Sequence, residues 1–391
     1  MKPEMIVKSA CEEWAAEVRV PGDLADRALR GRTRRRSFKL ALAGGSTALL
    51  VGAAAVAIVS GGGSAHPRQV EPAFEPVSLS SDTTLRTDPD SAFPRRLVAA
   101  GRMAVAAYYT RHERSINGQR MRERTWHLYN PSTGVYEQTR WAYASVAPGM
   151  KQAAVLQGPL PASRVGVLDM KTQRVTRWIS VDRPVGGMAW APDGRRLLLT
   201  AYDKNPDTEA LPGISSRTGY YVVNSMGERG AFHPMPALRS NLGPRQDMGW
   251  SRDGKLIWAP TATMPTKVFY NLDGEQQPAP AHEADYEERE EAGLSPNGTL
   301  LPKFGPKPGP AVTVTNVVTG KKVAVLPIEQ AKAWADDGQL FAIGCDPKKC
   351  KGKGEFRNRL LLVTLQGKIT PLTGYRRSDR DGAWVPVFTR R

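Results

Sequence analysis

Cysteine and histidine are scarce in this chain, three and five among 391 residues. His66, His112, His127, His233 and His282 stand apart, and none has the spacing of a tetrahedral zinc site. Also missing are a Gly-x-Ser-x-Gly elbow, a His-Glu-x-x-His pair and a Gly-rich loop ending in Lys and Ser or Thr. Their absence excludes the common hydrolase, zincin and nucleotide-binding signatures. The expectation is a protein with no catalytic residues, no cofactor and no metal. A lyase or hydrolase site assembled from scattered loop residues is the alternative, because such a site leaves no local motif.

Acidic residues are in deficit as well, 38 against 55 Lys and Arg, a formal charge of +17. A field of that size favours anionic partners and says nothing about fold. With 40% hydrophobic and 24% charged residues, disorder along the whole chain is excluded.

One stretch lacks charge altogether. Arg30, Arg32, Arg34, Arg35, Arg36 and Lys39 lead into Leu40–Val59, which has none. Twenty such residues make roughly 30 Å of helix, the thickness of a bilayer's hydrocarbon core. The basic flank precedes the run, and only Arg68 follows closely, so the N-terminus is expected in the cytoplasm and the rest outside. The expected organisation is a short basic cytoplasmic segment (1–37), a transmembrane helix (38–60), a flexible extracytoplasmic linker rich in Gly, Ser and Pro (61–94) and one large domain (95–391). The chain would be a single-pass plasma-membrane protein. The alternative is export on a twin-arginine signal, with Arg35 and Arg36 as the pair and cleavage near Ala65.

Beyond about Pro94 no amphipathic pattern lasts more than three helical turns, and short β-rich runs alternate with turn residues. One phrase recurs: "MAWAPDGRRLLLTA" from Met188, "MGWSRDGKLIWAP" from Met248, "EAGLSPNGTLLPKF" from Glu291 and "KAWADDGQLFAIG" from Lys332, with a shorter copy, "SVAPGMKQAAVLQ", from Ser145. The turn glycines fall at 149, 194, 254, 298 and 338, intervals of 45, 60, 44 and 40. A degenerate copy from Leu97 places Gly101 a further 48 back. A second hairpin lies between copies, so each repeat holds four strands, the size of a propeller blade. One blade cannot cover both faces of its sheet, so neighbours must stack around an axis. Trp190, Trp250 and Trp334 share one phase and are expected in the core between blades.

These phrases resemble the WD40-like repeat of TolB-type β-propellers over roughly residues 95–390. The resemblance implies an all-β, six-bladed β-propeller, with seven blades as the alternative. The closing "DGAWVPVFTRR" aligns Trp384 and Pro386 with Trp190 and Pro192, as the inner strand of a seventh blade or as padding for blade one or six. The Ala/Arg/Gly/Pro-rich composition is similar to that of actinobacterial proteins. The short inside segment resembles those of actinobacterial membrane-anchored sigma-factor regulators, without their His-Cys-Cys zinc signature.

In an up-and-down blade the short turns gather at one end and the long connections at the other. The long ones here include "YTRHERSINGQRMRER", "YDKNPDTEALPGISSR", "MPALRSNLGPRQD", "PAHEADYEEREEA" and "GCDPKKCKGKGEFRNR", which therefore frame one mouth of the channel. Its candidate basic residues are Arg111, Arg114, Arg120, Arg122, Lys348, Lys349 and Arg357. Its candidate acidic residues are Glu283, Asp285, Glu287 and Glu288; a solvated rim is the bland reading of both sets. Cys345 and Cys350 enclose a short loop in an oxidising compartment and are expected to form a disulfide. The expected function is a non-catalytic binding or scaffolding module for a protein or an anionic wall or lipid partner. Coupling an outside ligand to a cytoplasmic regulator is the other alternative. Nucleic acid is disfavoured by the outside location, and the oligomeric state is not written in the sequence.

Overall fold

The recurrent Asp-Gly or Asn-Gly turn takes one form in three of its copies, while at Asp337-Gly338 the glycine N–H goes to Asp336 Oδ1 instead. In the computed structural model, Gly194 N–H reaches the carbonyl of Ala191, Gly254 that of Ser251 and Gly298 that of Ser295, at 2.8, 2.9 and 2.8 Å. The glycines sit at φ +65°, +70° and +81°, where L side chains are strained, so the turn demands glycine. The described residues are 74–116, 119–208, 215–235, 243–263, 265–286, 292–304, 311–345, 357–377 and 384–391. They belong to the second of two units, Arg68–Arg391. The segments read as cytoplasmic (1–37) and transmembrane (38–60) lie outside the described residues.

All named strand pairings are antiparallel, and the described residues contain no helix. The first sheet runs, in spatial order, Trp384–Arg390, Met103–Ile116, Gln119–Asn130 and Val135–Gln138, with the short piece Ala99–Ala100 against Met103. The second runs Trp141–Val146, Gln152–Gln157, Ala162–Asp169, Arg174–Trp190, Leu197–Tyr202, Arg217–Val223 and His233–Pro234. The third is Gly249–Trp250, Ile257–Pro260, Lys267–Tyr270 and Gln276–Gln277; the fourth is Leu300–Phe304, Val312–Asn316 and Lys322–Leu326. The fifth is Gln330–Asp336, Gln339–Gly344, Arg357–Thr364 and Ile369–Pro371, with Arg376–Arg377 paired to its third strand.

Strands covered on both faces read as continuous apolar runs, as in Leu197–Tyr202, where every residue is buried. The core lies between neighbouring sheets: Trp126 and Leu128 of the first meet Val146, Val155 and Leu168 of the second. Leu198 and Tyr220 of the second meet Ile257 and Ala259 of the third. Leu300 and Val314 of the fourth meet Trp334 and Leu340 of the fifth. Phe341 and Ala335 of the fifth meet Val105 and Trp384 of the first, so the last sheet covers the first.

Hydrogen bonds follow the same circuit. The indole N–H of Trp190 donates to the carbonyl of Ser145 (2.8 Å), that of Trp250 to Ala189 (2.9 Å) and that of Trp334 to Gly293 (3.0 Å). At the short-turn end Arg196 donates to the Gly254 carbonyl (2.8 Å), Arg252 to those of Ser295 (2.8 Å) and Pro296 (2.7 Å), and Arg390 to that of Pro192. Inner strands of the first, second and fifth sheets, with the stretches that flank the third sheet (Asp247, Arg252) and precede the fourth (Leu294), line one cavity of about 860 Å³, including Tyr143–Val146, Met188–Trp190, Lys332–Trp334 and Val385–Arg390. The arrangement is propeller-like, as the repeats imply.

The structure departs from the sequence reading in particular places. The C-terminal strand pads the first sheet, one of the placements expected for it, with Thr110 paired to Trp384 and Met103 to Arg390. Trp384 therefore lies at the opposite end of its strand from the turn that Trp190 adjoins, and the alignment of the two tryptophans does not hold. Arg174–Trp190 is one continuous strand, pairing first with Ala162–Asp169 and then with Leu197–Tyr202, so two repeats share it. The stretch before Leu300 is no regular strand, because Gly293 takes φ +55° and breaks the extended run. "YTRHERSINGQRMRER" is a hairpin rather than a loop, paired from Ala107↔Leu128 out to Ile116↔Gln119.

The linker reading of 61–94 fails from Phe74 onward. Phe74 is buried, with its ring centroid 4.7 Å from that of Trp190, and its N–H meets the Ser225 carbonyl at 2.9 Å. Glu75 and Gln152 exchange hydrogen bonds, and Arg86 bridges to Ala99. One aromatic anchor and a few backbone bonds hold this irregular segment, and composition does not report either. Phe74→Ala is expected to cost about 3 kcal/mol in urea unfolding, whereas a free linker predicts no change. Trp250→Phe, which removes the donor to Ala189, is expected to cost about 1–2 kcal/mol in the same assay.

Candidate functional site

Three long connections meet at one end of the cavity. Arg124 comes from the first sheet's hairpin, Asp207 from the turn after Leu197–Tyr202, and Arg245 and Asp247 from the approach to Gly249. Arg245 grips Asp207 in a fork, Nε to Oδ1 at 2.9 Å and Nη2 to Oδ2 at 2.8 Å. Its Nη1 donates to Asp247 Oδ2 at 2.8 Å and to the Gly186 carbonyl at 2.8 Å. Arg124 Nη1 completes the set on Asp207 Oδ2. Tyr202 donates its hydroxyl to Asp247 Oδ1 (2.8 Å) and accepts the Gln246 N–H (3.0 Å).

The backbone prepares this site. A Cβ at Gly187 would collide with Oδ1 of Asp247, so glycine there makes room for the carboxylate. The free edge of the first sheet's hairpin is bonded to the Asp207 turn, with Arg122 N–H to the Asp207 carbonyl at 2.9 Å and a bridge from Met121 to Thr208.

Electrostatics bind the four charges into a unit. Burial alone would raise the Asp207 carboxyl, but the guanidiniums of Arg245 and Arg124 outweigh it and hold it below the ordinary range. Burial opposes the charge on Arg245 too, and Asp247 and Asp207 overcome it, leaving Arg245 firmly protonated. Burial, and then Asp247, push the Tyr202 hydroxyl far up, and Tyr143 shifts up for the same two reasons. Beside this network runs an aromatic wall. Trp126 lies between Tyr109 and Tyr143, with centroids at 4.8 and 5.4 Å, and the guanidinium of Arg245 sits 5.1 Å over Tyr143. Tyr109, Arg124, Trp126, Tyr143, Arg245 and Asp247 all line the cavity.

The residues expected from sequence are placed as follows. Arg111 is exposed and donates to the Tyr109 hydroxyl at 3.1 Å; Arg114 is exposed and paired with Glu123 at 3.3 Å; Arg120 and Arg122 are exposed on the same hairpin. Arg357 begins a strand of the fifth sheet. Lys348, Lys349, Cys350, Glu287 and Glu288 lie outside the described residues, and Cys345 is disulfide-bonded. Asp285 is exposed and meets His282 Nδ1 at 3.0 Å. Glu283 is not a rim residue: it is 5% exposed, and its carboxylate accepts the backbone N–H of Arg252 in a short turn. Burial raises its carboxyl above the usual carboxylate range.

Asp207, Arg245 and Asp247 were not singled out by the sequence reading, although their connections were. A signal existed: "RQDMGW" sets Arg245 and Asp247 where "VGGMAW" has Val185 and Gly187, a charged departure inside an apolar repeat. Among the described residues no cluster of His, Cys, Asp and Glu could hold a metal ion.

No family model matches the chain, and no curated protein matches it. Among solved structures it is similar to a chain of a mitotic checkpoint complex, at 12% identity and a TM-score of 0.38, covering 80% of this chain and 95% of that one. TolB from Acinetobacter baumannii is similar at 13% identity and 0.38, covering 72% and 67%. An oligogalacturonate lyase in complex with manganese is similar at 12% identity and 0.40, covering 78% and 86%. At these scores the fold rests on the strand order and the cavity described above, not on the likenesses.

Because the Asp207 carboxyl is held below its ordinary value, its contribution to stability is complete above the unfolded pKa and is lost as pH falls through the folded one. The loss should therefore begin below about pH 4. Asp207→Asn leaves Arg124 and Arg245 short of a buried counter-charge, and we expect a loss of about 3–5 kcal/mol at neutral pH. Urea unfolding across pH 3 to 7 checks both, the variant's deficit shrinking toward the acid end.

Proposed function

We propose that the chain is a membrane-anchored, extracytoplasmic six-bladed β-propeller acting as a non-catalytic binding module. Its partner, a protein or an anionic envelope polymer, is taken at the mouth framed by the long connections. The count of six is supported when the seven-stranded sheet is taken as two repeats that share Arg174–Trp190. Anchoring rests on the uncharged run Leu40–Val59 and its basic flank.

The observation that carries the binding reading is the mouth itself, where Tyr109, Trp126 and Tyr143 form a wall held rigid by the Arg124–Asp207–Arg245–Asp247 network. A pre-formed concave surface with aromatic faces and a few fixed polar groups is what ligand recognition uses. Asp247, the one carboxylate among the described residues that line the cavity, is already held by Arg245 and Tyr202, which suits a positioning role better than proton transfer.

The test is site-specific photo-crosslinking of the full chain in cells that make it natively. A photoreactive residue replacing Tyr109 should yield a discrete adduct, and one replacing the exposed Val325 should not. Absence of an adduct at 109, or equal adducts at both positions, overturns the reading.

A further inference from the structure

The sheets differ in what they leave at the outside. Among the described residues, Val135–Gln138, His233–Pro234, Gln276–Gln277, Lys322–Leu326 and Ile369–Pro371 end their sheets with strands of two to five residues. Short edges are one way a sheet avoids adding a foreign strand. Arg174–Trp190 breaks the pattern. From Arg174 to Ser180 it is bonded on one side only, to Arg164–Asp169, because Leu197–Tyr202 begins to pair with it at Val185. The other side of Arg174–Ser180 is a row of main-chain donors and acceptors with no strand beside it among the described residues.

This edge carries an aromatic ring. Trp178 is 36% exposed. Gly166, directly across from it, makes room, since a Cβ there would come within 3.1 Å of the ring. Trp141 meets Trp178 edge to face, with centroids 6.3 Å apart. Each indole has a guanidinium over it, Arg164 at 4.2 Å from the Trp178 centroid and Arg140 at 5.3 Å from that of Trp141. Stacking of this kind orders a guanidinium and leaves its in-plane N–H donors available.

Charge at the edge has one sign. Lys171, Arg174, Arg177 and Arg183 fall in one short stretch with Asp182. Asp182 is paired with Arg229 at 2.7 Å, and Asp169, opposite Arg174, accepts the Thr172 N–H at 2.6 Å. Arg140, Arg164 and Arg174 are exposed, and none is ion-paired. None of these residues, nor either tryptophan, lines the cavity, so the surface is separate from the mouth. Charge alone is enough to guard an edge. An exposed tryptophan beside it does the opposite, and tryptophan and arginine are the residues that anchor interfaces.

We propose that Arg174–Ser180 takes an extended acidic segment of a partner protein as an added strand. Main-chain bonds to the edge hold the segment, side chains on one of its faces cover Trp178, and its carboxylates meet Arg164 and Arg174. An anionic polysaccharide or phosphodiester chain could meet the same guanidiniums, but it has no regular N–H and C=O row to complete the ladder.

The probe is a capped, fluorescent peptide alternating glutamate and threonine, titrated against the full chain by anisotropy. The comparisons are the same peptide with lysine for glutamate, two versions N-methylated at the glutamates or at the threonines, and a polyphosphate of equal charge. We expect the acidic peptide to bind and the lysine peptide not to. Methylation of the set of nitrogens that faces the edge should weaken binding at least about tenfold. Arg164→Gln/Arg174→Gln, at exposed positions, should weaken it about tenfold at an unchanged thermal midpoint. The amides of Arg174–Ser180 should gain protection from hydrogen exchange when the peptide is bound. No binding of the acidic peptide, equal binding of the lysine peptide, or unchanged affinity in the double variant overturns the proposal. So does parent-like binding of both methylated peptides, and if polyphosphate then binds as tightly, the surface reads charge alone.

Discussion

Neighbouring repeats of this domain are tied by donors handed from one to the next. The indole N–H of the repeat tryptophan reaches the inner carbonyl of the preceding repeat at Ser145, Ala189 and Gly293, and arginines at the turns do likewise at Gly254, Ser295 and Pro192. A strongly twisted sheet with two apolar faces has no stable existence alone, and these bonds fix how far each sheet is rotated against the next. Because the contacts continue from the fifth sheet back to the first, the apolar face between those two sheets is covered, and the inner strands of the first, second and fifth sheets face one cavity. The C-terminal strand is the piece that makes this possible. By pairing with Met103–Thr110 it joins the two ends of the domain within a single sheet, so neither terminus can peel away without opening the ring.

The cavity and its mouth are consequences of that closure. A charge network whose members lie at 124, 207, 245 and 247 exists only because closure brings three connections to the same place. It costs desolvation, and the fork from Arg245 to Asp207 together with the tyrosine on Asp247 offsets that cost through geometry. The network in turn holds the hairpin of the first sheet against the turn of the second. The stability of the mouth therefore rests on this buried set, and Arg111 and Arg120 of the same hairpin are exposed.

Much of the fold was legible in the sequence because a ring writes its packing problem several times. The turn glycines, the tryptophan phase and the paired hairpins each recur, and the strand-to-strand alternation is local. What escaped was set by long-range contact. Trp384 looks like Trp190 by its neighbours, yet its register is decided by pairing with Thr110, far away in sequence. Phe74 sits in a stretch with the composition of a tether and is held by one ring against Trp190. Glu283 reads as part of an acidic run and is instead buried on the backbone of Arg252. Of the site, the hairpin arginines were visible as exposed charge, while Asp207, Arg245 and Asp247 were hidden as lone residues in separate connections.

Closure of the ring by the terminal strand is the claim on which cavity and mouth both stand, and amide hydrogen exchange resolved by residue tests it most directly. The account predicts that the amides of Trp384–Arg390 that bond across the ladder are protected to the same free energy as those of Met103–Thr110, opening together in one cooperative unit. Exchange of the terminal strand within seconds, beside a protected first sheet, would contradict it.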